Sequence, residues 1–361
     1  MIVDAHEDLA WNMLTFQRDY TQSVKYTRAR EAGSEVVERN GETLLGWPDW
    51  RRGGVGLVFG VLFASPEHRT SGEWDWVAYS EAGEAHRLYW RQLDLYEQLV
   101  DEHPQVFRLI SSGSDLDEHL QQWESDDTSD RRLGLVLLME GAEGIREPQE
   151  LEAWHERGVR IVGPAWDATR YAGSCYTPGR FTALGYELLE VMGELNVILD
   201  LSHLSEEAAL EGLDRYPGPV IASHSNVRRL LPSARYPERH LSVTTIERLI
   251  ERDGVVGIVL ANKFLQDGWR PGDARARVTL DDVVAHVDSV CQIAGDARHV
   301  GIGSDFDGGF GRSQVPAELN SVADLGKIGA ALARRGYEED DILGVLGKNW
   351  IRIVHGTLPS A

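Results

Sequence analysis

Short apolar runs alternate with longer amphipathic stretches along this chain. Eight runs, residues 1–5, 54–63, 133–139, 159–164, 196–201, 219–223, 254–261 and 299–304, are rich in Val, Ile and Leu. Such runs fit strands buried on both faces of a parallel sheet. Between them, residues 79–100, 182–195, 205–213, 245–252 and 280–294 space their apolar positions as helices do. Strand and helix repeated eight times predict an α/β fold, a (β/α)8 TIM barrel with its active site at the C-terminal ends of the strands. An open doubly wound sheet is the competitor, and it announces itself by a glycine-rich turn after the first strand. Here the first strand runs into His6, Glu7 and Asp8, and no GxGxxG follows.

Two stretches break the repeat. Residues 20–52 are polar and read as a long loop or lid after strand one, and residues 266–277 as a Gly/Asp/Arg-rich loop after strand seven. Both follow strands, so both are expected over the catalytic face. No internal repeat, low-complexity tract or interdomain linker intervenes, and residues 1–361 are read as one domain.

Composition narrows the partners. Acidic residues outnumber basic ones 58 to 36, for a formal charge of −22. That charge repels phosphate backbones and anionic lipid, so neither nucleic acid nor a membrane surface is an expected partner. Cys175 and Cys291 are too few and too far apart for a disulfide framework or a thiolate metal site. The start, Met1-Ile2-Val3-Asp4, has no basic region and no long apolar stretch, and no run of eighteen apolar residues occurs. A cytoplasmic location is the expectation.

The polar residues that close the apolar runs carry the chemistry. Strand one ends in His6-Glu7-Asp8, strand three in Glu140, strand five in His203, strand six in His224 and strand eight in Asp305. In a barrel these positions meet at one mouth. His6 and Asp8 are two apart, so an extended backbone turns both side chains to one side. Alone that pair is a weak signal. His203 and His224 each follow an apolar strand and a serine, and the duplication strengthens both. Glu140 closes an apolar strand, and a carboxylate there is costly to bury without a cation, unless an arginine or solvent meets it. Its two oxygens can bridge two ions. Asp305 is read as a proton acceptor beside the metals, and Asp307-Gly308 as turn chemistry.

The site expected from these residues holds two divalent ions. His6, Asp8 and Glu140 hold one, and Glu140, His203 and His224 the other. Nitrogen and oxygen ligands without thiolate suit Zn2+, with manganese, iron or cobalt as alternatives. A hydroxide bridging two such ions is nucleophilic at neutral pH and hydrolyses amides, esters or phosphoesters.

Several segments together resemble the membrane (renal) dipeptidase family of zinc-dependent amidohydrolase barrels. DAHEDLAWN at residues 4–12 resembles its D-G-H-N-D-L-P-W opening, and GGVG at 53–56 its second-strand phrase. DLSHLS at 200–205 resembles D-L-S-H-V-S, ASHSN at 222–226 resembles S-H-S-N, VGIGSDFDG at 300–308 resembles V-G-I-G-x-D-F-D-G, and GKNWIR at 347–352 resembles its G-G-N-x-x-R end. The resemblance implies a binuclear zinc dipeptidase acting on dipeptides with a free C-terminal carboxylate. It also implies Glu140 as the bridging ligand, Asp305 as the group that takes the proton from water, and frequent homodimers. It assigns the arginine gripping the substrate carboxylate to Arg235. Arg228 and Arg229 fall too early and read as a solvated face.

Three positions depart from the family. Trp166 stands where a histidine touches substrate and steadies the oxyanion, Glu143 where a histidine is common, and Tyr236 where an Asn follows the arginine. Indole donates one hydrogen bond and carries no charge. The candidates for making up the loss are Arg170 and His155. With Trp166 in the pocket, a hydrolase of another small amide, lactone or ester remains an alternative to the dipeptidase. A non-catalytic, metal-stabilised binding protein is the second alternative.

Overall fold

The computed structural model describes residues 1–359. Eight strands of its nine-stranded main sheet form the ring: β1 (Ile2–Glu7), β2 (Val55–Phe63), β3 (Leu133–Glu140), β4 (Val159–Gly163), β5 (Ile198–Asp200), β6 (Val220–Ile221), β7 (Val256–Ile258) and β8 (Val300–Ile302). All neighbouring pairs are parallel, in the order β7-β8-β1-β2-β3-β4-β5-β6. A parallel bridge between Ala222 and Val256 joins the two ends and closes the barrel. All eight expected strands are present.

The apolar runs supply two cores because strand side chains alternate. Val3, Ala5, Leu57, Phe59, Val61, Val136, Leu138, Ile161, Ile198 and Ile221 pack together inside the barrel. Their neighbours Ile2, Val58, Leu62, Leu135, Leu137, Met139, Val162, Leu199 and Val220 pack outward against the helices. Trp350, in the last helix (Asn349–His355), meets the inner set. Its indole lies edge-on to Phe59 at 5.5 Å and donates to the Ile302 carbonyl at 3.0 Å. A Cβ on Gly301 would stand 2.3 Å from the indole nitrogen, so this strand position has no room for a side chain.

The expected helices appear as Ala82–Glu102, Ala183–Glu194, Glu206–Arg215, Val243–Glu251 and Leu280–Ala294. Serine or threonine caps begin the last four, at Thr182, Ser205, Ser242 and Thr279. Regular pairing in β5 to β8 is shorter than the apolar runs, because the strand ends peel away toward polar partners. Ser223, for example, donates its N–H to the Asp200 carboxylate at 2.9 Å. An unpredicted strand, Phe107–Leu109, pairs beside the start of β3.

Residues 20–52 are better ordered than their polarity suggests. They hold three short helices, Val24–Glu31, Glu35–Asn40 and Trp47–Gly53. The reason is Asp307, whose side chain is fully buried and does more than make a turn. Its carboxylate accepts from Thr43 Oγ1 at 2.6 Å, the Leu44 N–H at 2.8 Å and Tyr20 Oη at 3.1 Å, and faces Arg18 at 3.0 Å. Arg18 also pairs with buried Glu31 at 3.1 Å. Asp307→Asn turns one of these acceptors into a donor and leaves the buried guanidinium half-compensated. Breaking a buried ion pair typically costs about 3–5 kcal/mol, and the retained Glu31 places the expected loss near the lower figure. A fall in the urea midpoint and faster proteolysis within residues 20–52 check this. An unchanged midpoint would remove Asp307 as the anchor.

Candidate active site

The C-terminal ends of β1, β3, β5, β6 and β8 bring the expected ligands together. Glu140 Oε1 lies 3.2 Å from His203 Nε2, 3.2 Å from His224 Nε2 and 3.7 Å from His6 Nε2. His6 Nε2 is 3.8 Å from Asp8 Oδ2, and His203 Nε2 and His224 Nε2 are 3.0 Å apart. Two sets satisfy metal-ligand spacing: His6, Glu140 and His224, and His6, Asp8 and Asp305. The second set puts Asp305 beside the cluster.

Burial drives the imidazoles and carboxylates in opposite directions. It lowers His6, His203 and His224 well below the usual histidine range, with Arg239 adding to the effect on each. Their nitrogen lone pairs are therefore free at neutral pH. Burial, then Asp307, pushes Asp8 up to about 7. Burial and the Asp8 carboxylate raise both Glu140 and Asp305 well above the ordinary range. Glu140 Oε1, Asp8 Oδ1 and His6 Nδ1 are buried with no hydrogen-bond partner. Neutral imidazoles and crowded acids with orphaned oxygens fit divalent cations, which would relieve the acid repulsion and give those oxygens a partner.

The ligands are held from behind. Asp200 Oδ1 accepts the N–H groups of Ser202 and Ser223 at 3.0 and 2.9 Å. Ser223 Oγ donates to Asp200 Oδ2 and lies 2.8 Å from His224 Nδ1. With the serine proton committed to Asp200, His224 donates from Nδ1 and presents Nε2 to the cluster. His203, Asp305 and Asp307 adopt left-handed backbone at φ 68°, 59° and 64°. Such residues typically cost about 1–3 kcal/mol each and collect at functional sites. Gly308 has a different reason to be small: a Cβ there would stand 2.0 Å from Asp305 Oδ1 and 2.7 Å from Asp8 Oδ2.

A cavity of about 220 Å³ opens over the cluster. Phe63, Trp166 and Tyr176 form one wall, with Trp166 5.1 Å from Phe63, 5.4 Å from Tyr176 and 6.0 Å from His203 by ring centres. Arg39, from the lid, and Arg69 also line it. Arg69 is fixed by buried Asp167 at 2.5 Å and lies over Tyr176. Arg170 and His155 do not line this cavity. Arg170 pairs with Glu143 at 2.7 Å, and His155 sits on the outer helix Leu151–Glu156. Neither makes up for the absent histidine. Arg228 pairs with Glu206 at 2.7 Å and Arg229 donates to Ser289 at 2.8 Å, also away from the site.

The resemblance assigns the substrate carboxylate to Arg235, which does not line the cavity above the cluster. It is exposed, lies over the Tyr236 ring, and lines with Tyr236 an adjoining cavity rather than the one above the cluster. Arg239, four residues on, is buried and lines both cavities. It donates to the His224 carbonyl at 2.9 Å, and its Nε is buried without a partner. The physical reason is a tether. Leu241 bridges Val227, which draws Arg239 against the end of β6, while Arg235 rides on an exposed turn. Lys263, after β7, and Arg39, Arg69, Phe63 and Tyr176 are further cavity residues that no motif in the sequence marks.

The comparisons agree with this architecture. The family model for membrane dipeptidase (peptidase family M19) matches residues 1–358. An uncharacterized protein encoded in the pqqA 5′ region of Klebsiella pneumoniae is 31% identical over 286 residues, covering 76% of this chain and 98% of its own length. Dipeptidase aclJ of Aspergillus oryzae is 27% identical over 364 residues, covering 98% of this chain and 77% of its own. Among solved structures, a metallopeptidase from Rhodobacter sphaeroides, liganded with a phosphinate mimic of the dipeptide L-Ala-D-Ala, superposes with a TM-score of 0.78. It is 22% identical and covers 99% of both chains. A barrel that gathers histidines and carboxylates at the C-terminal ends of its strands is the frame of a metal-dependent hydrolase. The chain belongs to the membrane dipeptidase family, peptidase family M19, and is a metallodipeptidase of that family. No helix among its described residues is long and apolar enough to cross a membrane.

Proposed function

We propose that the protein hydrolyses the peptide bond of dipeptides bearing a free C-terminal carboxylate, with two divalent ions, zinc by preference. The observation that carries this reading is Glu140 Oε1, buried without a donor and 3.2 Å from two imidazole nitrogens. His6, Asp8 and Glu140 would hold one ion, and Glu140, His203 and His224 the other. When bound, such ions polarise the scissile carbonyl and acidify water enough for attack at neutral pH. Asp305 faces His6 and Asp8 and takes the proton released by the attacking water. Arg239, in place of Arg235, receives the terminal carboxylate, because its unpartnered Nε belongs to a guanidinium fork suited to that group. Phe63, Trp166 and Tyr176 exclude solvent from the acyl side.

Hydrolysis of a dipeptide panel by zinc-supplemented protein, with both configurations at the C-terminal residue, tests this. Turnover is expected to vanish with chelator and return with zinc, at close to two ions per chain. A metal content near zero after supplementation would overturn the site. A second reading, hydrolysis of another small amide, lactone or ester, is favoured by the indole of Trp166 lining the cavity in place of an imidazole. Turnover of such acyl compounds without any dipeptide cleavage would select it.

A further inference from the structure

The cavity above the metal ligands adjoins a second one of about 650 Å³, and the two share Tyr176, Arg239, Lys263 and Phe264. The second cavity is basic in an acidic protein. Arg235, Arg239, Lys263 and Arg270 line it against one acid, Asp267, whose carboxylate accepts the Ser233 N–H at 2.8 Å. The chain as a whole carries −22. Most arginines near acids here are paired, as Arg69 with Asp167, Arg170 with Glu143 and Arg228 with Glu206. None of the four basic residues of this cavity has an ion pair among the described residues. Lys263 stands at the junction, with Nζ 4.7 Å from the Phe264 ring centre, which holds the ammonium at the wall without neutralising it.

Arg239 fixes what enters. If it holds the main-chain carboxylate of the C-terminal residue, that residue's side chain begins at the shared mouth, next to Lys263. Lys263 forms no ion pair and feels only the more distant Asp305 carboxylate of the neighbouring site, so an ammonium placed there favours an anion and rejects a cation. We propose that the second cavity is the subsite for the C-terminal side chain of the dipeptide, and that it selects an acidic one. The carboxylate of an aspartate or glutamate would meet Lys263, and longer acidic side chains would reach Arg235 and Arg270. This rests on the dipeptidase reading of the site above.

Alanyl-glutamate and alanyl-glutamine, each with either configuration at the second residue, differ by one charge at nearly constant shape. The zinc-loaded enzyme is expected to show at least a tenfold higher kcat/KM for the glutamate peptide of the accepted configuration. Lys263→Met should reduce that ratio toward one, mainly through KM for the glutamate peptide. Arg270→Gln, on an exposed loop, should give a smaller reduction for glutamate and a larger one for an acidic side chain two carbons longer. A wild-type ratio near or below one, or a ratio unmoved by Lys263→Met, would overturn the subsite. Calorimetric titration with free glutamate and glutamine reads the subsite without turnover. Tighter glutamate binding with no dipeptide cleaved would keep the anion subsite and reject the peptidase reading, whereas equal binding would reject the subsite.

Discussion

Glu140→Gln is expected to abolish measurable dipeptide hydrolysis and to strip the protein of its metal after dialysis. Glutamine keeps the volume of the residue and one oxygen, so packing is little altered. It loses the negative charge that two cations would share, and its amide N–H groups turn toward His203 and His224, whose Nε2 atoms lie 3.2 Å from the present oxygen. Those lone pairs would then accept hydrogen bonds from the amide and be lost as ligands. Removing an outer partner of a metal ligand typically costs about 10–100-fold in affinity, and removing a shared ligand should exceed that range.

The same variant predicts an opposite effect on the metal-free protein. Glu140 is buried beside Asp8 and Asp305, and one of its oxygens has no partner. A neutral amide there removes repulsion, so the metal-free variant should melt at or above metal-free wild type. Zinc should raise the melting temperature of wild type and leave the variant where it was, because only a ligand that binds the native state stabilises it. Two retained ions, or a variant that melts lower without metal, would remove Glu140 as the shared ligand.

What could be read from the sequence follows from where each side chain is anchored. His6, Asp8, Glu140, His203, His224 and Asp305 were legible because each closes an apolar run, and a parallel barrel leaves strand ends one place to meet. The strands were legible for the same reason, since both of their faces are buried. Arg239 and Lys263 were not, because they stand on irregular segments after β6 and β7. Their direction is set by a single bridge from Leu241 to Val227 and by the short helix Asn262–Leu265. Neither has a period. Asp307 was read as a turn residue because an Asp-Gly pair is most often that. Its role depends on Arg18, Tyr20, Thr43 and Leu44, more than 260 residues away, and no local pattern carries such a contact. Trp166 lines the cavity, and its neighbours there, Phe63 and Tyr176, come from other segments that no motif marks.

Arg239→Met should separate carboxylate recognition from the rest of the site, and Arg235→Ala should not. Arg239 lines the cavity above the ligands with Nε unpartnered, while Arg235 is exposed beside Tyr236 in the adjoining one. Truncating one member of a buried, hydrogen-bonded charge pair costs about 2–5 kcal/mol, or about 30-fold to several thousand-fold in kcat/KM. That loss is expected for peptides with a free carboxylate and should shrink to a few-fold for their C-terminal amides, which offer no charge to pair. The contrast between the two substrates matters because Arg239 also donates to the His224 carbonyl at 2.9 Å. A change that merely loosened His224 would slow acid and amide alike. Arg239→Lys keeps the charge but not the two-pronged donor, so it should recover part of the loss for the free acid. Arg235→Ala should alter either substrate by less than about threefold, the range of an exposed charge. Equal losses on acid and amide in Arg239→Met would reduce that residue to a support for His224, and a selective loss in Arg235→Ala would return the carboxylate to the earlier arginine.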